Sequence, residues 1–395
     1  MKILISSIVD LKRTAHNRLH QFVKYLSQEH EITVISIDDH WKAKQTDVGL
    51  YSQDFNNVLN NIKIEYLTNS GLSPILQEMT AGFSTQRILD KIGYRDFDVH
   101  LNYSSLISGY FISRKMKAIG VNTVYDIADD LPAMVRDSPQ IPFALKPIAG
   151  LVSNFFFKQN ILNSVHITCI AESLLNTVKL PLPGKTIIPN GADTTLFRSL
   201  PAEKLKQQLE IEDSFVIGYV GVLREWVNLE PVFAAINGLQ TTHNLKLLIV
   251  GDEGGLIKNK QLAEKYKITE NILFAGTIPY TTVPEYIACM DICLVPFKKG
   301  AIAENSLPLK LLEYMACGKP VIATPLTGIK QAVTKHVLYA TDKDEIKQAI
   351  ERLYDNSGWR IKMGEDGKQF VINNYAWHNM CAKLDKVLAN AARIR

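Results

Sequence analysis

Short apolar runs alternate with helix-patterned segments along almost the whole chain, and few folds accommodate that rhythm. In the amino half the runs fall at residues 3–7, 32–37, 62–67, 99–103 and 121–127, with helical patterns between them, as at 19–27 and 105–119. In the second half they fall at 215–221, 245–250, 272–274, 292–296 and 321–324. Such alternation predicts parallel sheets covered by helices on both faces, as in Rossmann-like domains. At 395 residues, 46% hydrophobic and 21% charged, the chain has the composition of a soluble globular protein and room for about two such domains. A net charge of +4 is too small to argue for a nucleic-acid partner, and no run is long enough to span a bilayer. The opening residues begin like a signal segment, but the apolar run stops at Asp10 with no small-residue cleavage site, so it reads as a first strand. Five scattered cysteines suit a reducing compartment and a cytoplasmic location. Cys289 and Cys293 have no second ligand pair to make a metal site, and read as small buried hydrophobes.

Residues 305–324 (NSLPLKLLEYMACGKPVIAT) read as a short helix followed by a buried strand. Ser306 is the expected N-cap, Pro308 falls in the first turn, Gly318 stands at the C-cap, and Pro320 prevents continuation. Leu311, Leu312 and Met315 face a core, while Ser306, Lys310 and Glu313 fall at i, i+4 and i+7 on another side. At about 1.5 Å per residue that polar face covers roughly 10 Å, the reach of a sugar, a diphosphate and a ribose in succession. A hydroxyl or amide at the helix start can hold sugar hydroxyls, a lysine can neutralise phosphate, and a carboxylate can accept from ribose hydroxyls. The helix N-terminus itself favours an anion. The competing reading is a solvated Lys–Glu pair on an amphipathic helix.

Elsewhere the chemistry-bearing residues cluster at strand ends. The loop at 10–18 has no glycine, so it is not the dinucleotide fingerprint; Arg13, His16 and Arg18 make it cationic, which suits an anionic or lipid-phosphate acceptor as well as plain solvation. Asp126, Asp129 and Asp130 close the fifth strand, on the side where ligands bind in open sheets. Asp130 reads as a turn residue, and the paired aspartates also raise a metal reading. Gly221, Gly251 and Gly276 end strands in the second half, where glycine gives backbone N–H groups access to a diphosphate. Pro189-Asn190-Gly191 predicts a turn with Gly191 free to take positive φ, followed by a polar linker at 199–209. Residues 143–158 are apolar apart from Lys146 and Lys158. They suit either a membrane face or a buried connecting helix, the second being the commoner meaning.

The stretch at 305–324 resembles the signature of glycosyltransferase family 4, a retaining family with the two-domain GT-B fold. That signature is Glu, seven residues, Glu, then a small-residue Gly-x-Pro-Val-Ile-Ala tail. The resemblance makes Glu313 the ribose ligand and puts Asn305 at the first Glu position, with Glu304 one residue off. A variant with Ser-x-Pro-x-Lys before Glu-Tyr also occurs in the family, and there Lys310 faces the diphosphate. Residues 189–197 (PNGADTTLF) resemble the segment that closes the family's first domain. The family's Arg after the Gly221-type glycine matches Arg224, without the Lys-Gly that usually follows. Its His–Asp pair, aligned on Pro132, falls on Ala128 and Asp129.

The resemblance thus implies an α/β GT-B fold: two Rossmann-like domains facing each other across a cleft, with a C-terminal helix crossing back to the first. The expected bounds are 1–198 for an acceptor-side domain, 199–375 for a nucleotide-sugar domain and 376–395 for the crossing helix. Lys310, Arg224 and Asp129 are the implied catalytic residues. Gly221, Gly251, Gly276, Asn305, Ser306, Lys310 and Glu313 are the implied donor-binding set, and Arg13, His16 and Arg18 the acceptor side. The implied reaction is sugar transfer, with retention, from a nucleotide-diphosphate sugar to a glycan or lipid-linked acceptor, in polysaccharide or cell-envelope glycan synthesis. It needs no cofactor and no metal, and suits a protein lying peripherally on the inner face of the cell membrane. Two rivals remain open: a GT-B nucleotide-sugar epimerase, which needs carboxylates flanking the sugar, and a GT-B binding module whose catalysis has lapsed.

Overall fold

The computed structural model describes residues 1–14, 16–38, 53–68, 72–138, 141–251 and 255–394. The chain divides into two compact units, Met1–Pro189 with His378–Arg395, and Asn190–Trp377. The boundary therefore falls at Pro189, before the 199–209 stretch, which lies inside the second unit and carries the short helix Glu203–Gln208.

The first unit is built on β1 (Lys2–Ser7), β2 (Glu31–Ser36), β3 (Lys63–Tyr66), β4 (Val99–Tyr103), β5 (Asn122–Ile127), β6 (His166–Cys169) and β7 (Lys185–Ile187). All pair in parallel, in the order β3-β2-β1-β4-β5-β6-β7. β6 and β7 are too short to stand out in the sequence as apolar runs. The second unit uses β8 (Phe215–Val220), β9 (Leu245–Val250), β10 (Ile272–Gly276), β11 (Ile292–Val295), β12 (Val321–Ala323) and β13 (Leu338–Tyr339). Their order, β10-β9-β8-β11-β12-β13, repeats the plan of the first unit. In each sheet the order reverses beside the first strand, between β1 and β4 and between β8 and β11, and such reversal points open a crevice at the strands' carboxyl ends.

The central strands are buried along nearly their whole length, which is why they read as continuous apolar runs rather than alternating ones. Cys289 and Cys293 are free thiols in that interior. The last helix, Trp377–Arg393, belongs to the first unit from His378 onward. His30 Nε2 meets Asp385 at 2.7 Å, and Asn122 Nδ2 donates to the Ala391 carbonyl at 3.0 Å.

Two expectations are corrected. Gly191 is not among the positive-φ glycines. It is glycine because a Cβ there would lie 2.5 Å from the Tyr375 carbonyl oxygen, where Ala192 and Ala376 form a parallel bridge. The apolar segment at 143–158 is not a buried connector. It forms helix Lys146–Asn163, whose buried residues are Ser153, Phe157, Asn160 and Ile161, with most of its large apolar side chains outside.

Candidate active site

In the second unit three neighbouring strands end on glycines with positive φ: Gly221 after β8 (+124°), Gly251 after β9 (+107°) and Gly276 closing β10 (+69°). Residues 252–254, which continue the expected glycine turn after β9, lie outside the described residues. The N–H of Gly221 donates to Val250 O at 2.8 Å and that of Gly251 to Gly276 O at 2.7 Å. Those two amides are thus committed to the sheet ladder, which corrects the expectation that they are offered to a phosphate. Their contribution is space. A Cβ on Gly221 would sit 2.5 Å from Lys310 Nζ, and one on Gly251 would sit 2.7 Å from Gly221 O.

The lysine is delivered by the helix Leu309–Ala316. Leu311, Leu312, Tyr314 and Met315 are almost fully buried, each worth about 1.5–3 kcal/mol of burial, so the helix is held by tertiary packing rather than by its own length. Its end is well built. Gly318 N–H donates to Met315 O and Lys319 N–H to Tyr314 O, the double closure that a left-handed Gly at C′ permits. Its start differs from expectation: Pro308 occupies the N-cap and no side chain caps there. Ser306 instead donates to Ala303 O at 2.7 Å, in the turn that precedes the helix.

Lys310 and Tyr314, one turn apart, both reach the end of β8. The Tyr314 hydroxyl accepts from Val220 N–H at 2.6 Å, while Lys310 Nζ donates to the Tyr219 hydroxyl at 2.7 Å. Tyr219 gives its own proton to Val222 O (2.9 Å), leaving a lone pair for the lysine. The ammonium also lies 4.1 Å from the Tyr219 ring centre and 5.8 Å from that of Phe297. A hydroxyl and two rings replace water poorly. Burial therefore pulls the Lys310 pKa down to about 7, with nearby Glu313 opposing the shift. An arriving dianion would restore the proton and bind the more tightly for it.

Glu313 is 7% exposed, and Tyr280 donates to its Oε1 at 2.6 Å. Burial raises its pKa to about 7, against the opposing pull of the Tyr280 bond and Lys310. The segment at 189–197 supports this end of the site. Asn190 Nδ2 donates to Leu307 O (2.8 Å), just ahead of the helix. Asp193 closes a turn by accepting from Thr195 and Leu196, and Phe197 packs edge-on against Tyr280 at 5.3 Å. Sequence reasoning missed Tyr219 and Tyr280. Each is a polar-tipped aromatic near a strand end, but nothing in one dimension pairs them with Lys310 and Glu313.

Asn305 and Ser306 lie in the loop before the helix, with their backbone against Gly328, where a Cβ would meet Ser306 O at 2.5 Å. Glu304, one residue off the family position, accepts from both the N–H and the hydroxyl of Thr327. Arg224 is exposed on the loop three residues past Gly221.

In the first unit, Asp130 caps helix Leu131–Asp137 by accepting from Ala133 N–H at 3.1 Å. Crowding by protein atoms raises the Asp129 pKa, Arg18 opposes, and Asp126 and Asp130 add to the rise. The Asp129 side chain nevertheless keeps solvent contact, so water screens and moderates that shift. The loop at 10–18 is less cationic than its sequence. Arg13 pairs with Asp10 and Asp38 at 3.1 and 2.5 Å. Arg18 is 2% exposed and grips Asp126 through Nε and Nη2, both at 3.0 Å, while Nη1 donates to Pro189 O. Its placement on the acceptor side is therefore corrected: Asp126, buried on β5, requires a counterion and takes this one. His16 takes a hydrogen bond from Gln21 at Nε2, and burial holds its pKa well below the ordinary histidine value. Among the described residues, the three-ligand group able to hold an ion is Glu29, His30 and Asp385, distant in sequence from the paired aspartates.

The comparisons agree with this architecture. Residues 201–390 match the family model of glycosyl transferases group 1. Among curated relatives, the lipopolysaccharide 1,2-N-acetylglucosaminetransferase of Salmonella typhimurium is 26% identical over 227 residues, 54% of this chain and 58% of that protein. The chain spans little more than half the length of the curated relatives it matches. Sucrose-phosphate synthase from Thermosynechococcus elongatus superposes with a TM-score of 0.76 at 16% identity, over 98% of both chains. The Anabaena protein HepE, solved with UDP-glucose, superposes at 0.71 with 15% identity, over 99% of this chain and 100% of its own. The fold is GT-B: two α/β Rossmann-like domains with parallel sheets.

Proposed function

We propose that this protein is a retaining glycosyltransferase of family 4 that moves a sugar from a nucleotide-diphosphate sugar to an acceptor hydroxyl, in the synthesis of a glycolipid or cell-envelope glycan. The observation that carries the reading is the half-buried Lys310 ammonium held on Tyr219 beside Gly221, with the buried Glu313 carboxylate one turn further along. In the proposed reaction the bond from the sugar's anomeric carbon to the diphosphate oxygen breaks and a bond to the acceptor oxygen forms. The departing diphosphate takes the acceptor's proton, so no protein nucleophile is needed. Lys310 and Arg224 neutralise the charge that gathers on the leaving group. Glu313 holds the ribose, and Asn305 with Ser306 faces the sugar. On the first unit, Asp129 is the proposed further catalytic residue, and Arg13 and His16 are the proposed acceptor side, in a cytoplasmic protein.

Ligands that bind only the native state raise its melting temperature, so a panel of nucleotide sugars read by thermal shift tests the reading directly. UDP-glucose, the ligand named for HepE, is the first to try. A shift with at least one nucleotide sugar is expected, and turnover is expected to survive EDTA. Activity lost to the chelator and restored by manganese would move the charge-handling to Asp129 and Asp130.

Glu313→Gln keeps the side chain's shape and its bond from Tyr280 but removes a charged acceptor. Hydrogen bonds to charged groups are worth about 1.5–3 kcal/mol, so donor affinity should fall about ten- to a hundredfold, with little change in melting temperature. Calorimetry that finds the same affinity in both proteins leaves Glu313 without a ribose to hold.

A further inference from the structure

Helix Lys146–Asn163 sits in the first unit with large apolar side chains on both its buried and its exposed sides. Its inward face carries Asn160, which donates to Ser105 O and Leu106 O and accepts from Asn102, all within 3.0 Å. Its outward face is apolar: Ile148 is 59% exposed, Leu151 72% and Phe155 52%, and Phe143 just before the helix is 89% exposed. Those helix positions follow at i, i+3 and i+7, a single stripe that continues through exposed Lys158. A second stripe lies on helix Pro74–Ile92, where Met79 is 62% and Phe83 92% exposed, and exposed Arg87 continues it.

The two stripes join. A Cβ on Gly82 would come within 3.0 Å of the Phe111 ring, Phe111 lies 6.5 Å from Phe156, and Phe156 lies 5.3 Å from Phe155. Folded monomers rarely expose a continuous apolar surface made of so many large side chains.

We propose that this face docks onto the surface of an anionic lipid bilayer. The charges on the page select that occupant. Residues 141–163 contain no Asp or Glu, and their only charges are Lys146 and Lys158. Of the two acidic residues on helix Pro74–Ile92, Glu78 is turned inward, where it accepts from the N–H groups of Ile107 and Ser108. Asp90 is exposed one turn past Arg87 at the end of the stripe, so the face as a whole is cationic but not free of acid. A second copy fits less well, because a two-fold contact sets this predominantly cationic face against itself. Among the described residues no helix is long and apolar enough to cross a membrane, so the face lies on the lipid with its aromatic and aliphatic side chains at the headgroup boundary. The inference stands apart from the glycosyl-transfer reading, since it uses neither Lys310 nor a donor.

Co-sedimentation of the full chain with vesicles of phosphatidylcholine, alone or mixed with phosphatidylglycerol, tests it. At about fivefold per cation, Arg87, Lys146 and Lys158 give roughly a hundredfold preference for the anionic vesicles, lost progressively with added salt. Leu151→Asp with Phe155→Asp should abolish the pelleting, and Lys146→Glu with Lys158→Glu should remove the preference. All four side chains lie at the surface or its edge, so the melting temperature and any nucleotide-sugar shift should stay as in the unaltered chain. Failure of the unaltered chain to pellet with either vesicle overturns the proposal, as does pelleting that the Asp variant leaves intact. A concentration-dependent dimer, lost in the Asp variant and seen without vesicle binding, also overturns it and assigns the face to self-association.

Discussion

Lys310→Met is expected to lower turnover by about two to three orders of magnitude, by analogy with the loss of a preorganised oxyanion-hole donor. Methionine keeps most of the stem that packs between Tyr219 and Phe297, so lost activity would not reflect lost fold. The charge on a departing diphosphate grows as the bond to the sugar breaks, and a cation already in place gains from that growth. Affinity for the free nucleoside diphosphate should therefore weaken less than turnover. The pH dependence follows from the same burial. Lys310 is protonated below its lowered pKa of about 7 and neutral above it, so diphosphate affinity should fall as pH rises through that value. The variant should lack this limb. If Lys310→Met keeps its turnover and only raises KM, the charge serves binding uniformly and Arg224 becomes the better partner of the leaving group.

The largest effect on stability is expected at the buried pair in the first unit. Asp126 accepts two bonds from Arg18 and a third from Thr168 at 2.6 Å, with both charged side chains almost wholly out of water. Removing one partner strands the other. Asp126→Ala should cost about 3–5 kcal/mol, the usual range when a buried pair is broken from one side. The double variant Asp126→Leu with Arg18→Met removes both charges and should cost less than the single one, because no unpaired ion remains. Urea unfolding followed by circular dichroism gives both values. A loss below about 1 kcal/mol for Asp126→Ala, the level of an average substitution, would mean that water or a rearranged carboxylate already serves Arg18.

That pair also marks where sequence reasoning ended. Arg18 and Asp126 are 108 positions apart, and Arg18 falls in a stretch whose visible property is positive charge. The structure pairs it with an aspartate carried on a buried strand, and pairs Arg13 with Asp10 and Asp38, so most of the apparent charge is internal bookkeeping. Glycines 221 and 251 were legible as special positions because few other residues end strands in that way. Their purpose was not. They make room for an ammonium, while their N–H groups stay in the ladder. The apolar segment after Phe143 was legible as a helix-sized run, but which of its sides is buried depends on Asn160 finding Ser105 and Leu106 outside the helix.

What the sequence determined by itself is therefore the part that local physics governs. Apolar runs of strand length, alternating with helical periods, permit little besides parallel sheets with helices on both faces. The Leu-Leu-x-Tyr-Met pattern with Gly318 and Pro320 behind it specifies one helix and its end. Tertiary structure alone decided which charges meet. A side chain's partner, its water and hence its proton affinity depend on what the fold brings to it from distant positions. Lys310 gained a tyrosine from β8, Glu313 one from the loop after β10, and Arg18 an aspartate from β5. A lysine in a sequence is a cation of ordinary pKa. It becomes a proton-poor group near neutrality only when Tyr219, Phe297 and Gly221 close around it, because desolvation is a property of the assembled surroundings and of no single residue.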